Sequence, residues 1–72
     1  MKNRKIVILG AGESGVGAAV LAKQKGYEVF LSDFGEIKEK YKNVLLKNEI
    51  AWEEKGHSEE LILKADLVVK SP

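Results

Sequence analysis

The run Ile6-Val7-Ile8-Leu9-Gly10-Ala11-Gly12-Glu13-Ser14-Gly15-Val16-Gly17 constrains this chain more than any other stretch. A short apolar run leads into a glycine cluster, and an alanine-rich segment follows without a break. Continuous apolar β-branched residues are the pattern of a parallel strand covered on both faces, which predicts a buried strand over Lys5 to Leu9. Gly15 to Lys25 then reads as a helix carrying Val16, Ala18, Ala19, Val20, Leu21 and Ala22. Lys23 and Lys25 suit its C-terminus, and Gly26 stands where a left-handed cap is wanted. The small residues Gly15, Ala18, Ala19 and Ala22 allow this helix to lie close to a sheet.

Gly10, Gly12 and Gly15 have the spacing G-x-G-x-x-G, and Asp33 follows 23 residues beyond Gly10. The three glycines have separable tasks. Gly10 permits the tight turn, Gly12 removes a Cβ so that a diphosphate can approach the backbone, and Gly15 allows close helix–strand contact. Backbone N–H groups at the helix start attract an anion. Ser14 adds a hydroxyl donor, and Asp33 is placed to accept hydrogen bonds from a ribose or another polyol. Glu13 works against an anion unless its carboxylate turns outward. The same glycine turn also occurs with no ligand at all, as a device for packing a helix on a strand.

Beyond the turn, Tyr27 to Ser32 predicts a second strand ending at Asp33. Phe34-Gly35 is a turn. Glu36 to Asn48 predicts a helix whose apolar stripe is Ile37, Tyr41, Val44 and Leu45, with lysines opposite. Ile50-Ala51-Trp52 predicts a short edge strand. After the loop Gly56-His57-Ser58, Ser58 is expected to cap a short helix with Glu59 and Glu60 in its first turn and Leu61, Ile62 and Leu63 as its buried side. Leu67 to Lys70 predicts a fourth strand. Alternating strands and helices call for right-handed crossovers and a parallel sheet. The expected architecture is α/β: a Rossmann-like three-layer half-domain, strand order 3-2-1-4, with helices on both faces. Because the chain stops just after the fourth strand, residues 1–72 are expected to be the leading fragment of a longer protein. In isolation its exposed sheet edges invite self-association.

Seventy-two residues make one small domain, which buries only roughly 60% of the surface its unfolded chain exposes. No cysteine is present to reinforce it with a disulfide or a thiolate metal site. A formal net charge of +1 gives no electrostatic case for nucleic acid or an acidic membrane. Met1 to Lys5 is basic, but the apolar run behind it is too short for a signal peptide or a membrane span, so a cytoplasmic location is expected. His57 lacks partners at ligand spacing and reads as a loop residue, so no metal site is expected. Tyr41 and Trp52 read as packing rather than a stacking platform. Ser71 follows the C-terminal end of a strand, where ligands sit in open parallel sheets. No nucleophile–base pair, carboxylate dyad or P-loop lysine occurs, so the segment is expected to bind and orient, with no catalytic residue of its own.

Ile8 to Gly15, Lys25-Gly26-Tyr27-Glu28-Val29, Ser32-Asp33, Gly56-His57 and Ala65-Asp66-Leu67-Val68-Val69-Lys70-Ser71-Pro72 occur together and in order. In this the chain resembles the N-terminal domain of the Mur ligases of peptidoglycan synthesis, most of all the members that add D-glutamate. The resemblance spans essentially all of the chain. It implies a three-domain, ATP-dependent amide-forming ligase whose first domain holds the UDP part of UDP-MurNAc-L-alanine. By resemblance the diphosphate meets Gly12, Glu13, Ser14 and Gly15, the uridine lies by Asp33 and Phe34, and Ser71 closes the nucleotide site. ATP and Mg²⁺ are then handled by later domains and no cofactor by this segment. Some relatives carry Thr-Arg where this chain has Phe34-Gly35, a departure that bears on the uracil contacts. The leading alternative is the NAD- or FAD-binding segment of an oxidoreductase, since flavin enzymes share a similar glycine turn. A stand-alone nucleotide-sensing module is a third.

Overall fold

The computed structural model describes residues 4–70. Its elements run β1 (Lys5–Leu9), α1 (Glu13–Gln24), β2 (Glu28–Ser32), α2 (Glu39–Lys47), β3 (Ala51–Glu53), α3 (Glu59–Leu63) and β4 (Leu67–Lys70). The four strands form one parallel sheet, as the alternation of strands and helices predicts, in the order β3-β2-β1-β4 expected of a doubly wound half-sheet. Among the described residues no helix is long and apolar enough to cross a membrane.

Register decides which side chains share a face. Ile6 pairs with Val29 and Leu67, and Ile8 with Leu31 and Val69. Onto that face α1 brings Val16, Ala19 and Ala22, and α2 brings Leu45, giving one core in which Ile8, Ala19, Leu31 and Leu45 are wholly shielded. Alanine at position 19 is what permits so close an approach. The opposite face carries Val7, which pairs with Phe30 and Val68. The β3-to-β4 connection runs along the sheet in the opposite direction to the two before it, so a right-handed crossover sets α3 across the sheet from α1 and α2.

Helix α1 starts at Glu13, two residues earlier than expected, because extended Gly12 (φ −81°, ψ −168°) already occupies the capping position. Its end follows the sequence signal. Gly26 adopts φ +92°, while the Tyr27 N–H bonds to Ala22 O and the Gly26 N–H to Lys23 O, a Schellman closure. Helix α2 closes in the same way without glycine: Glu49 takes φ +57°, its N–H bonds to Leu46 O, and the Ile50 N–H bonds to Leu45 O. The left-handed residue costs about 1–2 kcal/mol, offset where Ile50 enters the core beside Leu45.

Further local expectations are corrected. Helix α2 begins at Glu39 rather than Glu36. Ile37 is buried all the same, because its N–H donates to Glu54 Oε1 at 3.0 Å and draws an extended segment inward; Glu54 is in turn held by Lys42 at 2.8 Å. Within the stripe, Val44 lies at the margin, 37% exposed. In α3 no residue is buried, and Leu63 is 83% exposed. Three consecutive residues fan through roughly 200° of a helix and cannot share one side. Strand β3 starts at Ala51, one residue late, at the sheet edge where it was expected.

Candidate functional site

A parallel sheet gathers the C-terminal ends of its strands on one rim, and the glycine turn springs from the rim at Leu9. Gly10 takes φ +106°, open to glycine at little cost, and its N–H donates to Ser32 O at 2.8 Å. The Ala11 N–H donates to Asp33 Oδ2 at 2.7 Å, and the Gly35 N–H to Asp33 Oδ1 at 2.8 Å. Oδ2 therefore staples the glycine turn to the end of β2, while Oδ1 fixes the short turn that follows Asp33 itself. Each keeps a further lone pair for another donor. The first helical bond of α1 is Val16 N–H to Gly12 O, which leaves Glu13, Ser14 and Gly15 N–H groups without an intrahelical acceptor. Gly12, Glu13 and Ser14 are exposed, and a Cβ built on Gly12 meets nothing within 4 Å.

Of the residues expected to form the site, Gly12, Glu13, Ser14, Gly15, Asp33 and Phe34 are brought to this one rim. Ser71 lies outside the described residues. Removing the Asp33 staple should loosen the turn before any ligand arrives. Asp33→Ala is expected to cost about 1.5–3 kcal/mol, the range for a hydrogen bond to a charged group, read as a lower denaturant midpoint together with weaker nucleotide binding. An unchanged midpoint would show that the turn holds itself.

A second group of polar residues lies beside the first. The fully buried Ser32 hydroxyl contacts Glu53 Oε2 at 2.9 Å, Gly56 O at 3.2 Å and the Nδ1 of His57. The proton arrangement that satisfies this group assigns the Ser32 hydrogen to the carboxylate and the His57 hydrogen to Nδ1, donating to Ser32. Glu53 also receives the Ser58 N–H at 2.6 Å and the Ser58 hydroxyl at 2.8 Å. Ser58 thus holds the capping position of α3 without capping it: its side chain reaches back to a carboxylate, not forward to the helix. Loop bonds complete the tie, Lys55 N–H to Gly35 O and Gly56 N–H to Asp33 O. Above this cluster Phe34, 77% exposed, meets the His57 ring at 5.5 Å between centroids and a 36° tilt.

Glu53 and His57 were not singled out as functional by the sequence. Glu53 reaches Ser32 only through the β2–β3 register, Ser32 opposite Glu53, which no local pattern discloses. Burial pushes the Glu53 carboxyl up, but the Ser58 N–H and hydroxyl, the Ser32 hydroxyl and the nearby His57 outweigh it and hold the group below its ordinary 4.5. A depressed carboxylate adds stability that is complete above that value and is lost as pH falls below it. Wild type should therefore lose melting temperature more steeply than Glu53→Gln between pH about 5 and about 3. Parallel curves for the two would remove Glu53 from the acid response. Among the described residues no three His, Asp or Glu side chains are grouped to hold a metal ion.

Comparison with known proteins adds three findings. The sequence pattern of the MurD N-terminal domain matches residues 5–72. UDP-N-acetylmuramoylalanine–D-glutamate ligase of Bacteroides thetaiotaomicron is 67% identical over 69 residues, and that of Christiangramia forsetii 62% identical over 69. Each alignment takes in 96% of this chain but only 16% of the relative, so the chain spans about a sixth of the length of these proteins. A transhydrogenase from Sinorhizobium meliloti shares the fold with a TM-score of 0.68 at 20% identity, over 97% of this chain and 22% of that one.

Proposed function

This chain belongs to the MurD N-terminal domain family, and from that premise we propose that residues 1–72 are the UDP-binding part of a longer, cytoplasmic, ATP-dependent ligase that joins D-glutamate to UDP-MurNAc-L-alanine in cell-wall synthesis. The observation that carries the reading is the glycine turn stapled by Asp33, which presents unpaired helix-start N–H groups at an open rim. A diphosphate fits there for two reasons: the backbone of Gly12 can be approached, and the α1 N-terminus carries roughly half a positive charge. Glu13 contributes its N–H, with its exposed carboxylate directed to solvent, and Ser14 its N–H and hydroxyl. Asp33 and Phe34 stand where the nucleoside would lie, and Ser71 is assigned the closing contact.

The segment's work is to bind and orient. ATP with Mg²⁺, held elsewhere in the longer protein, supplies the energy of amide formation. What these residues do is hold the nucleotide end of the substrate still, so that its L-alanine carboxyl is presented far from this rim. The full-length protein incubated with UDP-MurNAc-L-alanine, ATP, Mg²⁺ and D-glutamate is expected to release phosphate only when all are present. Absence of phosphate release would end the ligase reading. Tight binding of NAD or FAD in its place would support the oxidoreductase alternative.

A further inference from the structure

We infer that His57 is a positioning residue, which holds the Phe34 ring as a shelf on which the nucleotide base stacks; the inference rests on the reading of the rim as a nucleotide site. Three observations converge. Phe34 is 77% exposed, yet it follows directly on Asp33, whose carboxylate is bonded to the glycine turn. An aromatic ring of such exposure beside an anion-binding turn offers a π-face to whatever base the diphosphate carries. One side of that ring is already occupied by His57, at a centroid distance and tilt ordinary for an aromatic pair. Finally, His57 is an exposed loop residue that does not sit loosely. Its Nδ1 contacts the fully buried Ser32, which is bonded to Glu53, which is bonded twice to Ser58. Much of a buried polar cluster is thus spent on fixing one surface ring.

The arrangement also accounts for the departure at Phe34-Gly35. Gly35 bears no side chain that could cover the base, and its N–H is committed to Asp33 Oδ1. Stacking on Phe34 is then the side-chain contact that this pair of residues offers a base. It grips any base of the right reach, while the diphosphate turn sets where that base lies.

The test uses the full-length protein and UDP, with affinity measured by calorimetry and the uracil H5 and H6 protons followed by NMR. Phe34→Ala is expected to weaken UDP binding about tenfold, within the range found for base–aromatic stacking, and to abolish the upfield ring-current shift of H5 and H6. Phe34→Tyr should retain both. His57→Ala should weaken binding by several fold alone and by nothing further in the Phe34→Ala background, because it acts through that ring. Equal affinity and shift in Phe34→Ala and wild type would overturn the shelf, as would a fall in melting temperature with unchanged binding. Additive losses in the double variant would overturn the positioning role and make His57 a direct contact. Wild type that ignores UDP but binds AMP or NAD with the same dependence on Phe34 and His57 would keep the inference and sink the UDP reading. Binding of none of these would sink both.

Discussion

Gly12→Val is expected to abolish UDP binding while leaving the far-UV circular dichroism of the protein unchanged. The two halves of that outcome have separate causes. Gly12 sits at φ −81° and ψ −168°, extended backbone that any residue adopts, and a Cβ there meets nothing within 4 Å. The protein therefore tolerates the side chain, losing about 1 kcal/mol for a β-branched residue at a helix cap. On the proposed reading the ligand should not tolerate it, since the branched side chain would fill the space through which a diphosphate reaches the N–H groups of the first turn. Losing two charge-assisted hydrogen bonds at about 1.5–3 kcal/mol each is a fall in affinity of about 100-fold or more. Retained affinity would place the diphosphate elsewhere.

The second large effect concerns the fold. Leu31 is wholly shielded, in the strand flanked by β1 and β3, and it belongs to the core that α1 and α2 cover. Leu31→Ala should cost about 2–5 kcal/mol in transfer and cavity terms. A domain of this size has a total stability on the order of 4–11 kcal/mol, so urea unfolding should move to a much lower midpoint. Leu63→Ala is the matched control: at 83% exposure, its midpoint should stay within about 0.5 kcal/mol of wild type. A comparable drop in both would mean that α3 is packed far more tightly than the described residues show.

Sequence and structure agree where a local signal has a single physical meaning. The β-branched run before Gly10 has no competing reading, and the cation-rich helix end before Gly26 led directly to the observed Schellman closure. The parallel sheet followed from alternation, and its order from the doubly wound pattern that a glycine turn after the first strand suggests. Disagreement arises where a distant residue competes for a local one. Ser58 precedes two glutamates and looks like a cap, yet Glu53, five residues upstream, takes both its N–H and its hydroxyl. Ile37 is spaced as the first member of a helical stripe, but its burial comes from an extended segment tied to Glu54. Of the site, the glycine turn and Asp33 were legible because their spacing is set within one strand–helix–strand unit. The Ser32–Glu53–His57 cluster was not, because it exists only once β2 and β3 are in register.

The pairing of β1 with β4 bears on how the molecule is made. Strand β1 takes one neighbour from β2, close by in the chain, and the other from β4; the Lys5 N–H reaches across 61 residues to Asp66 Oδ2, and the Asp66 N–H returns to Lys5 O. Synthesis runs from the N-terminus, so β1, the strand that carries the glycine turn, is made well before β4. That strand waits through nearly all of this segment's synthesis for its second partner. Contacts of such long separation slow folding, because loop closure precedes any stabilisation they give. The first of the four strands to be made thus gains its second neighbour only with the last of them.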